Sequence, residues 1–208
     1  MDILKQLSTQ SGDKTSQSNK NVAEICIQNP KLLPDIATGL TCKDTGMIKD
    51  CVEVMTLVAE KKPDFVAPFA KQITPLLSHK NTQARWEAAH SLSYVAHLVP
   101  GVISSVLGCF EELIEKDESI IIRDYSVDAV SNFAKAGKSE AEKAYPILLK
   151  ALLLWNGKHA HHTFSGLESV VKFMPNLKKE VVALIGPFTT EKRAVVSKVA
   201  KSLLKKLG

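Results

Sequence analysis

The stretch 81–96, NTQARWEAAHSLSYVA, returns in pattern as IIIRDYSVDAVSNFA at 120–134. Aligned on Arg85 and Arg123, 38 residues apart, Ala88 falls on Ser126, Ala89 on Val127, Leu92 on Val130, Val95 on Phe133 and Ala96 on Ala134. Small or apolar residues at offsets 3, 4, 7, 10 and 11 from an anchor trace one face of an α-helix. Small side chains at the first two offsets let a neighbouring helix approach closely. The template fits again with Ile48 as anchor, through Cys51, Val52, Met55, Val58 and Ala59. It fits with Ala160, through Thr163, Phe164, Leu167, Val170 and Val171, and with Arg193, through Val196, Ala200, Leu203 and Leu204. A fainter copy runs through Val22, Ile25 and Cys26.

Proline keeps the same beat. Pro63, Pro100 and Pro175 each stand 15 residues after an anchor, Pro30 falls on the matching position, and Gly137 marks the equivalent break after Arg123. Proline suits the first turn of a helix and cannot continue the one before it, so each motif helix stops there and another begins. The intervening segments, such as PDFVAPFAKQITPLLS and PGVISSVLGCFEELIEKD, are amphipathic, with Pro68, Pro75 and Pro146 as expected kinks. Two helices per roughly 33–38 residues is the sequence signature of an α-solenoid. The expected fold is all-α: an α-solenoid of about six stacked antiparallel helix pairs. Residues 1–208 form one repeat domain in this reading. Residues 1–20 are a short helix plus a flexible polar linker, STQSGDKTSQSNK, and 189–208 a basic C-terminal capping helix.

The best copy, KDESIIIRDYSVDAVSNFA, resembles the HEAT-repeat family, whose motif has a turn with Asp and a second helix opening Val-Arg-x-x-Ala. The resemblance implies that Asp117 and Arg123 join a side-chain ladder between repeats. Arg85 and Arg193 keep the arginine, and the copies anchored on Ile48 and Ala160 lose it. It also implies that the second helix of each pair lines a concave binding face. Outward positions there are offsets 1, 2 and 5: Lys49, Asp50 and Glu53; Trp86, Glu87 and His90; Asp124, Tyr125 and Asp128; His161 and His162; and Lys198. Aromatic residues flanked by charges are what binding hot spots are made of. Trp86 either anchors a partner or folds down over a gap between helices.

Composition narrows the function classes. The four cysteines have neither CxxC nor zinc-site spacing, which fits reduced thiols in a cytoplasmic protein. The start, MDILKQLSTQ, lacks a signal-peptide pattern, and the most apolar run, YPILLKALLLW, is too short for a membrane span. Residues 150–208 hold 11 Lys/Arg against 3 Asp/Glu, whereas residues 1–149 hold 16 against 19. The basic end, with Lys198, Lys201 and Lys205 on one helix face, either solvates a terminal cap or attracts phosphate. The segment GKHAHHTF brings His159, His161 and His162 near Asp124 and Asp128, but in no recognised metal-ligand spacing, so neither metal nor cofactor is expected.

No phosphate loop or nucleophile motif occurs. Deoxyhypusine hydroxylase, a HEAT-like enzyme, carries His-Glu pairs that are missing here. The alkylpurine DNA glycosylases are HEAT-like arrays with a Trp-x-x-x-Asp segment. Here Trp86 is followed four positions on by His90, and the expected groove is acidic at Glu87, Asp124 and Asp128, which repels phosphate. The expected function is a non-enzymatic scaffold binding a protein or peptide on the concave face. A nucleic-acid-binding, glycosylase-like repair protein is the alternative.

Overall fold

The computed structural model describes residues 2–208, and among these every regular element is helical. The second helices of six successive pairs are Gln17–Gln28 (α1), Thr45–Lys61 (α2), Thr82–Val95 (α3), Ile120–Phe133 (α4), Ala160–Phe173 (α5) and Ala194–Leu207 (α6). Their starts are written in the sequence. Asp44 accepts from the Gly46 amide at 2.8 Å, Asn81 from Ala84 at 3.1 Å and Ser119 from Ile122 at 3.4 Å. Each satisfies an amide that the first turn leaves without an intrahelical partner.

The first helices of the pairs are more broken. Residues 63–78 run as Pro63–Val66, Ala67–Phe69, Ala70–Ile73 and Thr74–Ser78, alternating α and 3-10 geometry. Pro68 and Pro75 stand in the two 3-10 pieces, where a missing amide is least costly. Pro146 behaves otherwise. Lys138–Gly157 continues helically past it and breaks only at Leu154, Trp155 and Asn156, the last two in the left-handed region at φ 54° and 56°. The polar segment 8–20 is also more structured than a flexible linker. Ser8–Ser11 is helical and ends on Gly12 at φ 77°, Asp13 accepts from the Thr15 and Ser18 amides, each at 2.7 Å, and α1 begins at Gln17.

The chain divides into two compact units, 1–109 and 110–208. In the first, α2 packs against α1 and α3; in the second, α5 packs against α4 and α6. The template face is the core of both. Cys51, Val52, Met55, Val58 and Ala59 are fully buried, as are Ala88, Ala89, Leu92, Val95 and Ala96. Ser126, Val127, Val130, Phe133 and Ala134 are likewise buried, with Phe164, Leu167 and Val170 beside them in the second unit. The terminal copies depart: in α1 Val22 and Cys26 are buried but Ile25 is partly exposed, and in α6 Val196, Ala200 and Leu203 are buried but Leu204 is partly exposed. All four cysteines are free thiols, and burial pushes Cys26 up to about 11 and Cys51 up to about 12. Such thiols stay protonated and unreactive.

The close approach of α4 and α5 rests on Gly166. A Cβ there would lie 2.8 Å from the Ser131 Cα and 2.6 Å from a Leu148 methyl. Gly166→Ala gains helix propensity but must push backbone apart. The expected net effect is a loss of about 1–3 kcal/mol, as for other overpacked cores, read as a lower urea midpoint.

Candidate functional site

The two units carry different polar clusters on their second helices. In the first unit the cluster begins at Asn19 of α1, which is fully buried. Its side-chain amide donates to Asp50 at 3.0 Å and to Glu53 at 2.9 Å, both on α2, and its carbonyl accepts from the Ser8 amide at 2.9 Å. Asp50 also accepts from the Thr9 amide at 2.7 Å and from the Thr9 hydroxyl. Asp50 was expected to face outward. At 5 % exposure it instead ties the N-terminal segment to α2, because three donors compensate a charge that would otherwise be costly to bury.

Glu87 on α3 departs the same way, being 9 % exposed. One carboxylate oxygen, Oε1, accepts from the Trp86 indole at 2.7 Å, and the other, Oε2, is buried without a partner. Burial raises the Glu87 pKa, and the nearby Glu53 charge adds to it. Glu53 is raised by burial and by Asp50, against the opposing Asn19 hydrogen bond. Trp86 itself is half-buried, so the indole both reaches solvent and folds onto its neighbour. Lys49 is half-buried on α2, and His90, with Nε2 3.0 Å from the Tyr94 hydroxyl, is half-buried on α3.

In the second unit the hub is Arg123, only 5 % exposed. It donates through Nη1 to the Asp117 carbonyl at 2.6 Å and through Nε to His159 Nε2 at 3.1 Å. Since Nε2 accepts, the His159 ring proton sits on Nδ1, 2.5 Å from Asp124. The Arg–Asp ladder implied by the HEAT resemblance therefore takes another form. Arg123 clasps the carbonyl of its own turn and reaches the next repeat through a fully buried histidine. The sequence template skips His159, which stands one residue before the Ala160 anchor. The face of Trp155 lies 4.0 Å from the Arg123 guanidinium, and its indole donates to the Ile114 carbonyl at 3.0 Å. The left-handed backbone at Trp155 and Asn156 turns the indole back onto the arginine, and the contact offsets the strain.

His162 stands between two carboxylates, Nδ1 at 2.8 Å from Asp128 and Nε2 at 3.2 Å from Asp124. Burial opposes its charge, but the Asp128 hydrogen bond and the two carboxylates outweigh burial and raise the pKa. The same contacts lower Asp124 despite its burial, chiefly through His159 and then His162. His161, with its ring centroid 4.0 Å from that of His162, is lowered by burial and by its neighbour's charge. Tyr125 is half-buried on the same face of α4. Among the described residues no group of histidine, cysteine or carboxylate side chains is arranged to hold a metal ion. Lys198, Lys201 and Lys205 are exposed along α6, opposite the buried Val196 and Leu203.

No family model and no curated protein matches the chain. Solved structures do. An engineered protein from a structural genomics programme is 14% identical with a TM-score of 0.73, covering 99% of this chain and 94% of its own. A designed armadillo repeat protein in complex with the peptide (KR)4 is 15% identical with a TM-score of 0.75, covering 99% of this chain and 98% of its own. A second designed armadillo repeat protein is 14% identical with a TM-score of 0.72 over the same shares. At these identities the likeness is one of fold: the chain is a helical-repeat solenoid.

The His162 contacts set a pH dependence. A raised folded pKa makes the His162 contribution fully present below the ordinary value of 6.5 and lost as pH rises through the folded value. His161, lowered, acts only below that value, where protonating it costs stability. Urea midpoints at pH 6.5 and 8.5 should therefore show the wild type losing stability at the higher pH, with His162→Gln flattening the change.

Proposed function

We propose that this chain is a non-enzymatic interaction scaffold whose second-helix faces bind a protein or peptide segment, each unit contributing its own part. The observation that carries the reading is the polar row on these helices. It is held in place by hydrogen bonds from one helix to the next, with the half-exposed Trp86 set in it. Side chains already fixed in position lose little entropy when a partner arrives. The peptide held by a designed armadillo neighbour supports a peptide as occupant. We read the repeats as HEAT-like, on the two-helix period and the arginines that bond the turns, Arg85 to the His79 carbonyl and Arg123 to that of Asp117. The free thiols suit a reducing compartment, and we place the protein in the cytoplasm. No helix among the described residues is long and apolar enough to cross a membrane.

Photo-crosslinking from Tyr125 and His90 positions, followed by affinity measurement with the captured protein, tests this reading. Trp86→Ala should weaken binding by about tenfold or more, the range of aromatic hot spots, with the helical circular dichroism unchanged. Unchanged affinity, or crosslinks that form only with nucleic acid, would overturn it.

A further inference from the structure

We propose that Glu87, with Glu53 beside it and the Trp86 indole above it, is a receptor for an arginine side chain of a bound peptide. This deepens the scaffold reading and rests on it. The starting point is Glu87 Oε2, buried and bonded to nothing, in a residue 9 % exposed. Its sister oxygen is held at 2.7 Å by the Trp86 indole. A buried carboxylate oxygen without a donor is costly, and the cost persists if the group takes a proton. The new O–H would itself lack an acceptor.

A guanidinium removes both problems. Its planar fork presents parallel N–H donors matched to the two oxygens of a carboxylate, and its face stacks on an indole. Trp86 is half-exposed, so rotating the indole off Glu87 opens the carboxylate and offers the ring as the stacking surface. The charge balance favours a cation. Glu53 on α2 acts on Glu87, and Asp50 acts on Glu53, so each acidic neighbour disfavours the ionised form of the next. Asn19 is neutral and already committed to Asp50 and Glu53. Lys20 acts on Glu53. A single ammonium would reach one oxygen at a time, so arginine should be preferred to lysine.

The test uses the full chain and fluorescein-labelled octa-arginine, octa-lysine and octa-glutamate peptides, read by anisotropy at moderate salt. Octa-arginine should bind more tightly than octa-lysine, and octa-glutamate not at all. Glu87→Gln keeps the shape and the indole acceptor but removes the charge, and should weaken octa-arginine at least tenfold. Glu53→Gln should weaken it less. Glu60→Gln, an exposed acid elsewhere on α2, should leave it unchanged. Thermal melts establish that each variant is folded. Should Glu87→Gln prove unstable, a carboxyl carbon shift of Glu87 in the wild type on adding octa-arginine gives the same answer. Equal binding by wild type and Glu87→Gln, a loss matched by Glu60→Gln, or no octa-arginine binding would overturn the receptor. The scaffold reading would then stand or fall on the Trp86→Ala measurement with the crosslinked partner.

Discussion

Neighbouring second helices in each unit approach until backbone meets side chain, and most other features depend on that spacing. Ala88 and Ala89 on α3 and Ser126 on α4 are fully buried because the positions three and four residues past the anchor are small. At Gly166 the approach leaves no room even for a methyl group. Helices this near bring their flanking polar residues into hydrogen-bond range. Asn19 can therefore span to two carboxylates on α2, and His159 can sit between Arg123 and Asp124. Close packing of the apolar face and the polar row beside it are one arrangement seen from two sides.

That arrangement also sets what the polar residues can do. A carboxylate flanked by donors, such as Asp50, is used up as a tie between segments. A carboxylate given one donor for two oxygens, such as Glu87, keeps unspent hydrogen-bonding capacity. His162 lies at a third point, with both ring nitrogens facing carboxylates, so its charge state is coupled to how well the second unit packs. Residues of the same type at equivalent repeat positions thus differ in role because their neighbours differ.

The strained turn at Leu154–Asn156 shows a local rule giving way to a tertiary contact. Proline at 146 is the evident helix breaker, yet the helix continues through it and breaks at Trp155. The Asn-Gly pair at 156–157 is a turn signal at that spot, with Gly157 also at positive φ, 65°, but it does not say where the indole goes. The indole has a buried guanidinium to cover and the Ile114 carbonyl to meet, and those contacts lie in other helices.

Periodicity alone determined the all-helical repeat, the register of the apolar face and the outer ends of the second helices. A core face must recur every 3.6 residues, and a capping or proline residue must stand where a helix ends. The same pattern named the row of outward positions that includes Trp86, Tyr125, Asp128 and His162. It could not see which of them stay free. Asp50 and Glu87 fall on outward offsets but are buried: Thr9 and Asn19, distant in sequence, bond the one, and the indole of its own chain neighbour, Trp86, folds back to bond the other. The sequence set His159 near Asp124, but its bond to Arg123, 36 residues away, and the bond of Asn19 to Asp50, 31 residues away, became visible only when these partners were brought together. Burial and hydrogen bonding are properties of pairs, and tertiary structure decides the pairs.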